Sequence, residues 1–365
     1  MGLIAAGGMI LIALFLLRSE WEKLQLKTVR EEIRTGKPVS GQQKCSDGGK
    51  RLRLLFVSDL HTYLPAMHMP ERIVQAVDEV CPDAVLIGGD MITVRKDRRK
   101  PEPETGTALA LIGRLAEKYP VYYGEGNHES RLRERNPEAY TKYVSSLLKF
   151  GVRYLADTST PLLTGGPKGM CDSGADVTGI TLEEEFYAPC PGIGLKTRLP
   201  EGYLGEKYTA ADPERFQILL LHHPGFLKEA AEEGIDLVLS GHMHGGTVRL
   251  PDGSGLMTPQ YCLFVKECSG SFADGNTKMI VSAGLGTHSI RIRFNDLPEL
   301  NLIDIIGPEE EKDGTDGAEE EKNESRTEGR AGNRAESRTE ETAENGVKDG
   351  LRESGTKKDT GKQKA

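Results

Sequence analysis

Nine side chains able to hold a metal or move a proton fall in five short groups: Asp59 and His61, Asp90, Asn127 and His128, His222 and His223, and His242 and His244. Taken singly, each group has an ordinary structural explanation as a helix cap, a turn, a loop or a satisfied core histidine. Five unrelated caps and turns have no reason to recur at the ends of successive apolar runs, and a metal centre accounts for all of them at once. Carboxylate, imidazole and amide oxygen in one set suit Mn, Fe or Zn better than Mg or Ca, which favour all-oxygen shells. Gly88, Gly89, Gly124, Gly126, Gly241, Gly245 and Gly246 flank these residues. Glycine is the residue expected where backbone turns sharply beside an ion or a phosphate.

The runs that must position these groups alternate between short unbroken apolar stretches and helical periodicity, which argues an α/β fold. LRLLFVSDLH (52–61), AVLIGGD (84–90), VYYGEGNHE (121–129), FQILLLHHP (216–224) and IDLVLSGHMH (235–244) read as buried strands. Helices are expected at PERIVQAVDEV, with Pro70 in its first turn, near TALALIGRLAEK (107–118), and around PEAYTKYVSSLLKF ahead of Gly151. MIVSAGLG (279–286) and LNLIDII complete the core. In open α/β sheets ligands bind beyond the carboxyl ends of the strands, and that is where each polar group falls.

The two ends differ from this body. Leu3 to Leu17 is apolar without interruption, and with Met1 and Gly2 it makes 17 residues, at the short edge of the roughly 17 to 25 that span a bilayer. It has neither the basic start nor the A-x-A-like site of a cleaved signal peptide, and it lacks the polar face of a core helix. The expectation is a single-pass anchor over 1–18, followed by a polar stalk over 19–49 whose KLQLKTV stretch is either an edge strand or part of a helix. Arg18, Lys23, Lys27, Arg30, Arg34 and Lys37 follow the span, so the positive-inside rule places the body in the cytoplasm. Residues 307–365 are expected to be disordered. From Pro308 onward there are 17 acidic and 12 basic residues with no aromatic, Ile, Met or Cys, too little apolar area to offset chain entropy. The whole chain carries 47 Lys plus Arg against 56 Asp plus Glu, a net charge of −9, which argues against a nucleic-acid partner. Six cysteines in 365 residues form no zinc or dense disulfide framework. Cys171 and Cys190 could pair if the body lies outside the cell.

The set DLH (59–61), GGD (88–90), GNHE (126–129), LHHP (221–224) and GHMHGG (241–246) resembles the calcineurin-like metallophosphoesterase superfamily in order, spacing and strand context. With the N-terminal span, GHMHGGTVRLP (241–251) and AGLGTHSIRIRFNDLPEL (283–300), it is similar to the bacterial membrane-associated branch that includes YkuE-type and YaeI-type phosphoesterases. The resemblance implies a four-layer α/β/β/α sandwich of two mixed sheets over residues 50–306 and two divalent metal ions. It assigns Asp59, His61 and His244 to one metal, Asn127, His222 and His242 to the other, and the Asp90 carboxylate to both. His222 rather than His223 matches the ligand position two residues before Pro, and His128 matches a non-ligand histidine beside the leaving group. Met243 and Thr247, and the THSIRIRFN segment, depart from the family's usual residues, which bears on substrate fit rather than on metal binding.

The implied reaction is hydrolysis of a phosphoester by a hydroxide bridging the two metals, with His128 as proton donor and Glu129 as its orienting partner. The basic loop VRKDRRK (94–100) could hold anionic head groups or simply be solvated, and LPAMHMP (64–70) could form a lipid-facing lip or pack on the following helix. These segments make a lipid-linked or cell-envelope phosphoester one candidate substrate. A membrane-tethered scaffold without turnover and a nucleotide phosphodiesterase are the alternatives. Lost ligands would mark the first and an aromatic stacking run the second, and the sequence has neither feature.

Overall fold

Strands with apolar residues at every position must be covered on both faces, and the fold supplies that cover from two sides. The computed structural model describes residues 2–42, 50–61, 69–95, 99, 102–165, 169–208, 210, 212–287 and 290–308. The first half runs α1 (Gly2–Lys23), β1 (Lys27–Arg34), β2 (Arg51–Val57), α2 (Met69–Val80), β3 (Ala84–Ile87), α3 (Gly106–Ala116), β4 (Val121–Gly124), α4 (Asn127–Arg135), α5 (Pro137–Lys149) and β5 (Arg153–Leu155). The second runs β6 (Thr158–Thr164), β7 (Cys171–Ile180), β8 (Gly192–Ile193), α6 (Tyr203–Lys207), β9 (Phe216–Leu221), α7 (Leu227–Glu232) and β10 (Leu237–Ser240). It ends with β11 (Gly255–Met257), β12 (Cys262–Val265), β13 (Gly270–Asp274), β14 (Thr277–Val281) and β15 (Glu299–Ile306).

Two six-stranded mixed sheets result, in the orders β1-β15-β2-β3-β4-β5 and β13-β14-β10-β9-β7-β6, with a small β11-β12-β8 sheet beside them. Alternation along each strand builds the layers. Leu54 and Phe56 of β2 face Ile218 and Leu220 of β9 in the core between the sheets. Leu55 and Val57 turn the other way, against Ile73 and Val77 of α2 and Leu111 of α3. Leu219 and Leu221 face outward from the second sheet with Phe226 and Ala230. Each such side chain contributes roughly 1.5–3 kcal/mol by burial. The α/β/β/α layering expected from the resemblance is therefore present.

Three local findings differ from the expectations. The segment 19–49 is not a free stalk. Residues 27–34 pair in parallel with β15, from Lys27↔Glu299 to Arg34↔Ile306, as an edge strand, so the KLQLKTV stretch (23–29) is divided: Lys23 ends α1, and Lys27, Thr28 and Val29 open β1. Its charges look stalk-like because an edge strand is half exposed and charge there discourages further pairing. The strand expected over 121–129 ends at Gly124, since Gly126 caps α4 and the Glu129 carboxylate accepts from its amide at 3.0 Å. Cys190 lies 3.4 Å from Cys262, sulfur to sulfur, rather than beside Cys171, which is exposed on β7. In LPAMHMP, residues 64–68 lie outside the described residues, and Met69 is buried in the helix-facing core rather than on a lip. Residues 96–98 and 100 of the basic loop, and the tail from 309, also lie outside them.

Candidate metal centre

Five parallel strands from both large sheets deliver the site. β2, β3 and β4 end just before Asp59, Asp90 and Asn127, and β9 and β10 just before His222 and His242. The turns beyond them are tight. Asp59, His61, Asp90, His242 and His244 all have positive φ, between 47° and 70°. Non-glycine residues enter that region at a cost, and clusters of them mark functional sites. Gly126 and Gly241 are there for space: a methyl on the first would collide with the Asp90 carboxylate, and on the second with the Asp59 carboxylate and Ser58 Oγ.

Ligand-type atoms converge in overlapping groups, Asp59 with His61 and His244, Asp90 with His222 and His242, and His61 with Asp90 and His128, each within 4.8 Å. Asp90 is central. Its Oδ1 accepts from the His128 amide at 2.8 Å, while Oδ2 faces the Nε2 atoms of His222 at 3.2 Å, His61 at 3.8 Å and His128 at 3.9 Å. Asp59 is fixed by Ser58 Oγ at 2.6 Å and by the His242 amide at 3.0 Å, and its Oδ1 lies 3.4 Å from His244 Nε2. Asn127 begins α4, and its Oδ1 is buried with no hydrogen-bond partner among the described residues.

These groups fit divalent cations. His222 Nδ1 donates to the Gly88 carbonyl at 2.6 Å, the support that metal-binding imidazoles normally have. In the neutral ring the Nε2 lone pair then points at two carboxylates, which repels unless a positive charge lies between them. The same demand appears in the titration. Burial disfavours a charged His222, yet Asp90 and Asp59 outweigh it and push the imidazole up to about 10. Burial likewise opposes charge on Asp90, but His222, His128 and His61 hold its carboxyl well below the usual range. Asp59, with burial dominant and Asp90 adding to it against His222, is pushed up to about 6. His61 and His244 approach through Nε2 at 2.9 Å, a distance that two lone pairs tolerate only with a proton or an ion shared between them.

The adjacent histidine is different. His223 Nδ1 accepts from the Gly225 amide at 3.0 Å and its Nε2 lies 2.8 Å from Gln260 Oε1, so both nitrogens are engaged by protein. His128 Nδ1 accepts from the Val94 amide at 2.6 Å, which leaves Nε2 to carry hydrogen toward the centre. Arg131 donates to the Val94 carbonyl at 3.1 Å and steadies that segment. Glu129 does not orient His128. It accepts from the amides of Asp90 at 2.9 Å and Met91 at 3.1 Å and from the Tyr123 hydroxyl at 2.7 Å, bracing the turn that carries Asp90. Burial, then Asp90, push its carboxyl up to about 7. Sequence reasoning had no signal for Tyr187, which lies in a motif-free stretch and packs its ring 4.8 Å from that of His242. Ser58, inside the VSDLH run, was visible but unassigned.

The model of the family described as calcineurin-like phosphoesterase matches residues 52–246, more than half of the chain and all five polar groups. Among curated proteins, the chain is 34% identical over 90 residues to the uncharacterized metallophosphoesterase YkuE of Bacillus subtilis, 25% of this chain and 31% of that one. It is 22% identical over 264 residues to phosphodiesterase YaeI of Escherichia coli, covering 71% and 84% of the two chains. A transmembrane protein with metallophosphoesterase domain from Danio rerio is 25% identical over 265 residues, 72% of this chain and 54% of that protein.

Proposed function

Since the chain belongs to the calcineurin-like phosphoesterase family, we propose that it is a membrane-anchored phosphohydrolase with a dinuclear centre, in which Asp59, His61 and His244 hold one divalent cation, Asn127, His222 and His242 the other, and Asp90 both. The observation that carries this reading is the position of Asp90 Oδ2 between His61 and His222. When bound, the cations supply water activation and charge neutralisation for an in-line displacement at phosphorus. The chain's own groups do the rest. Gly88 sets the tautomer of His222, Ser58 and the His242 amide fix Asp59, Glu129 holds the Asp90 turn, and His128 presents a proton at Nε2 toward the leaving oxygen.

A chromogenic phosphodiester and monoester assayed with Mn²⁺ test this directly. Turnover should disappear with a chelator and return on adding metal back, at two equivalents per chain. Turnover indifferent to chelation, or a fully loaded protein inert on both ester classes, would reject it.

The anchor is α1, whose residues Ile4–Lys23 are long and apolar enough to cross a membrane, with Ile4–Leu14 exposed throughout. The cationic residues after the span favour a cytoplasmic body under the positive-inside rule. Cys81 and Cys171 are exposed thiols, so neither should react with a membrane-impermeant maleimide on intact cells, and both should react after lysis. Labelling of intact cells would put the body outside.

A further inference from the structure

The apolar helix is joined to the body without a linker. Phe15 stacks on Phe294 at 4.8 Å. Ser19 Oγ accepts from the Arg293 amide and Glu22 Oε2 from that of Asp296, both at 3.0 Å. Lys23 Nζ donates to the Arg291 carbonyl at 3.1 Å. Ser19, Glu22 and Lys23 are buried against this segment. Because the helix is fixed to the body from Phe15 onward, a membrane that takes up its apolar residues lies directly against this side of the body. Trp21, half exposed with the Arg18 guanidinium 4.7 Å over its ring, is the residue type that settles at the headgroup level.

The segment that grips α1 is also one wall of a cleft that reaches the metal centre. That cleft runs from His244 past Thr287 to Tyr261, Ile290 and Ile292. Its rim is apolar, with Tyr261 and Ile290 exposed. Deeper in, Thr287 is buried, and its hydroxyl has no hydrogen-bond partner among the described residues. An unpaired buried hydroxyl costs about 1–3 kcal/mol unless a ligand or water satisfies it.

We propose that this cleft takes a phosphoester borne on a membrane lipid, with its phosphate at the metal centre, Thr287 donating to a head-group oxygen, and Ile290 and Tyr261 seated in the bilayer interface beside the anchor. The inference rests on the phosphohydrolase reading and adds its substrate class. Full-length protein in phosphatidylcholine vesicles tests it in two ways. Trp21 is the sole tryptophan, so Ile290→Trp in a Trp21→Phe chain reports the rim alone. Lipids brominated near the carbonyl end of their chains should at least halve its emission, and should leave Phe150→Trp, on an exposed position of the body, unquenched. In the second arm, a diacyl lipid carrying a chromogenic phosphodiester should be cleaved at least tenfold faster than the water-soluble diester with the same leaving group. Thr287→Val should remove most of that preference without changing metal content.

Unquenched emission from the Ile290→Trp chain, quenching equal to that of the Phe150→Trp chain, or equal rates on the two esters would overturn the inference while leaving the phosphohydrolase intact. A metal-loaded protein that cleaves neither ester would instead defeat the reading beneath it, and this inference with it.

Discussion

Asp90→Asn is expected to lower turnover by about 10³-fold, equivalent to ~4 kcal/mol of transition-state stabilisation. The loss should be the same on every ester, because it acts through the metals rather than through the leaving group. One Asp90 oxygen is held by the His128 amide, so the other is aimed at both halves of the centre by a bond that does not depend on metal. Asparagine keeps this shape but removes the charge that His61, His222 and His128 face. The two cations would then repel each other with no anion between them, and the weaker site should empty. Metal analysis should fall from two equivalents toward one. The Mn²⁺-induced rise in melting temperature should shrink with it, because ligand stabilisation follows occupancy, about 2.7 kcal/mol at a hundred times Kd. An Asp90→Asn protein with two tightly held ions and wild-type turnover would refute the assignment of this carboxylate. The fold itself should survive, since Asp90 lies in a turn beyond β3 and Leu86 and Ile87 keep their places in the two core layers.

The parts of the site legible in the sequence are those where chemistry is carried by residue type near a strand end. DLH, GGD, GNHE, HHP and GHMH each follow an apolar run, and the structure brings all five together because parallel strands end on one edge. Choosing between His222 and His223 needed the resemblance, since both are buried beyond β9. What separates them is contact with distant groups: the Gly88 carbonyl for one ring, the Gln260 side chain for the other. The same cause explains the remaining surprises. Glu129 stands next to His128 in sequence, but helical geometry turns it under the Asp90 turn. Glu22 and Asp296 are 274 positions apart, and nothing local marks that a polar residue at the end of an apolar helix will be buried in a joint. The KLQLKTV stretch (23–29) reads equally as strand or helix because its pattern suits any exposed surface until a partner strand is present, and β15, which pairs with its last three residues, arrives only at residue 299.

His128→Asn should separate proton transfer from metal binding. The ring contributes no atom to the proposed ligand sets, and the Val94 amide bonded to its Nδ1 fixes the hydrogen on Nε2, directed into the centre. Removing a positioned general acid typically costs about 10²- to 10⁴-fold. The loss here should depend on the leaving group. An ester of nitrophenol departs as a stable anion and gains little from protonation, so its rate should fall least. An alkyl ester departs as a strongly basic alkoxide, and its rate should fall by the full factor. A plot of log rate against leaving-group pKa should therefore steepen in the variant, with metal content still at two equivalents. Equal losses across the series would assign His128 to charge stabilisation of the phosphoryl group, and loss of metal would make it a ligand. The distinction is sharp because His61, whose ring meets that of His128 edge-on at 4.9 Å, serves as the contrast. His61→Asn should fail at the metal-binding step, with rates on all esters restored in part by raising Mn²⁺, whereas no concentration of metal should restore the alkyl-ester rate of His128→Asn.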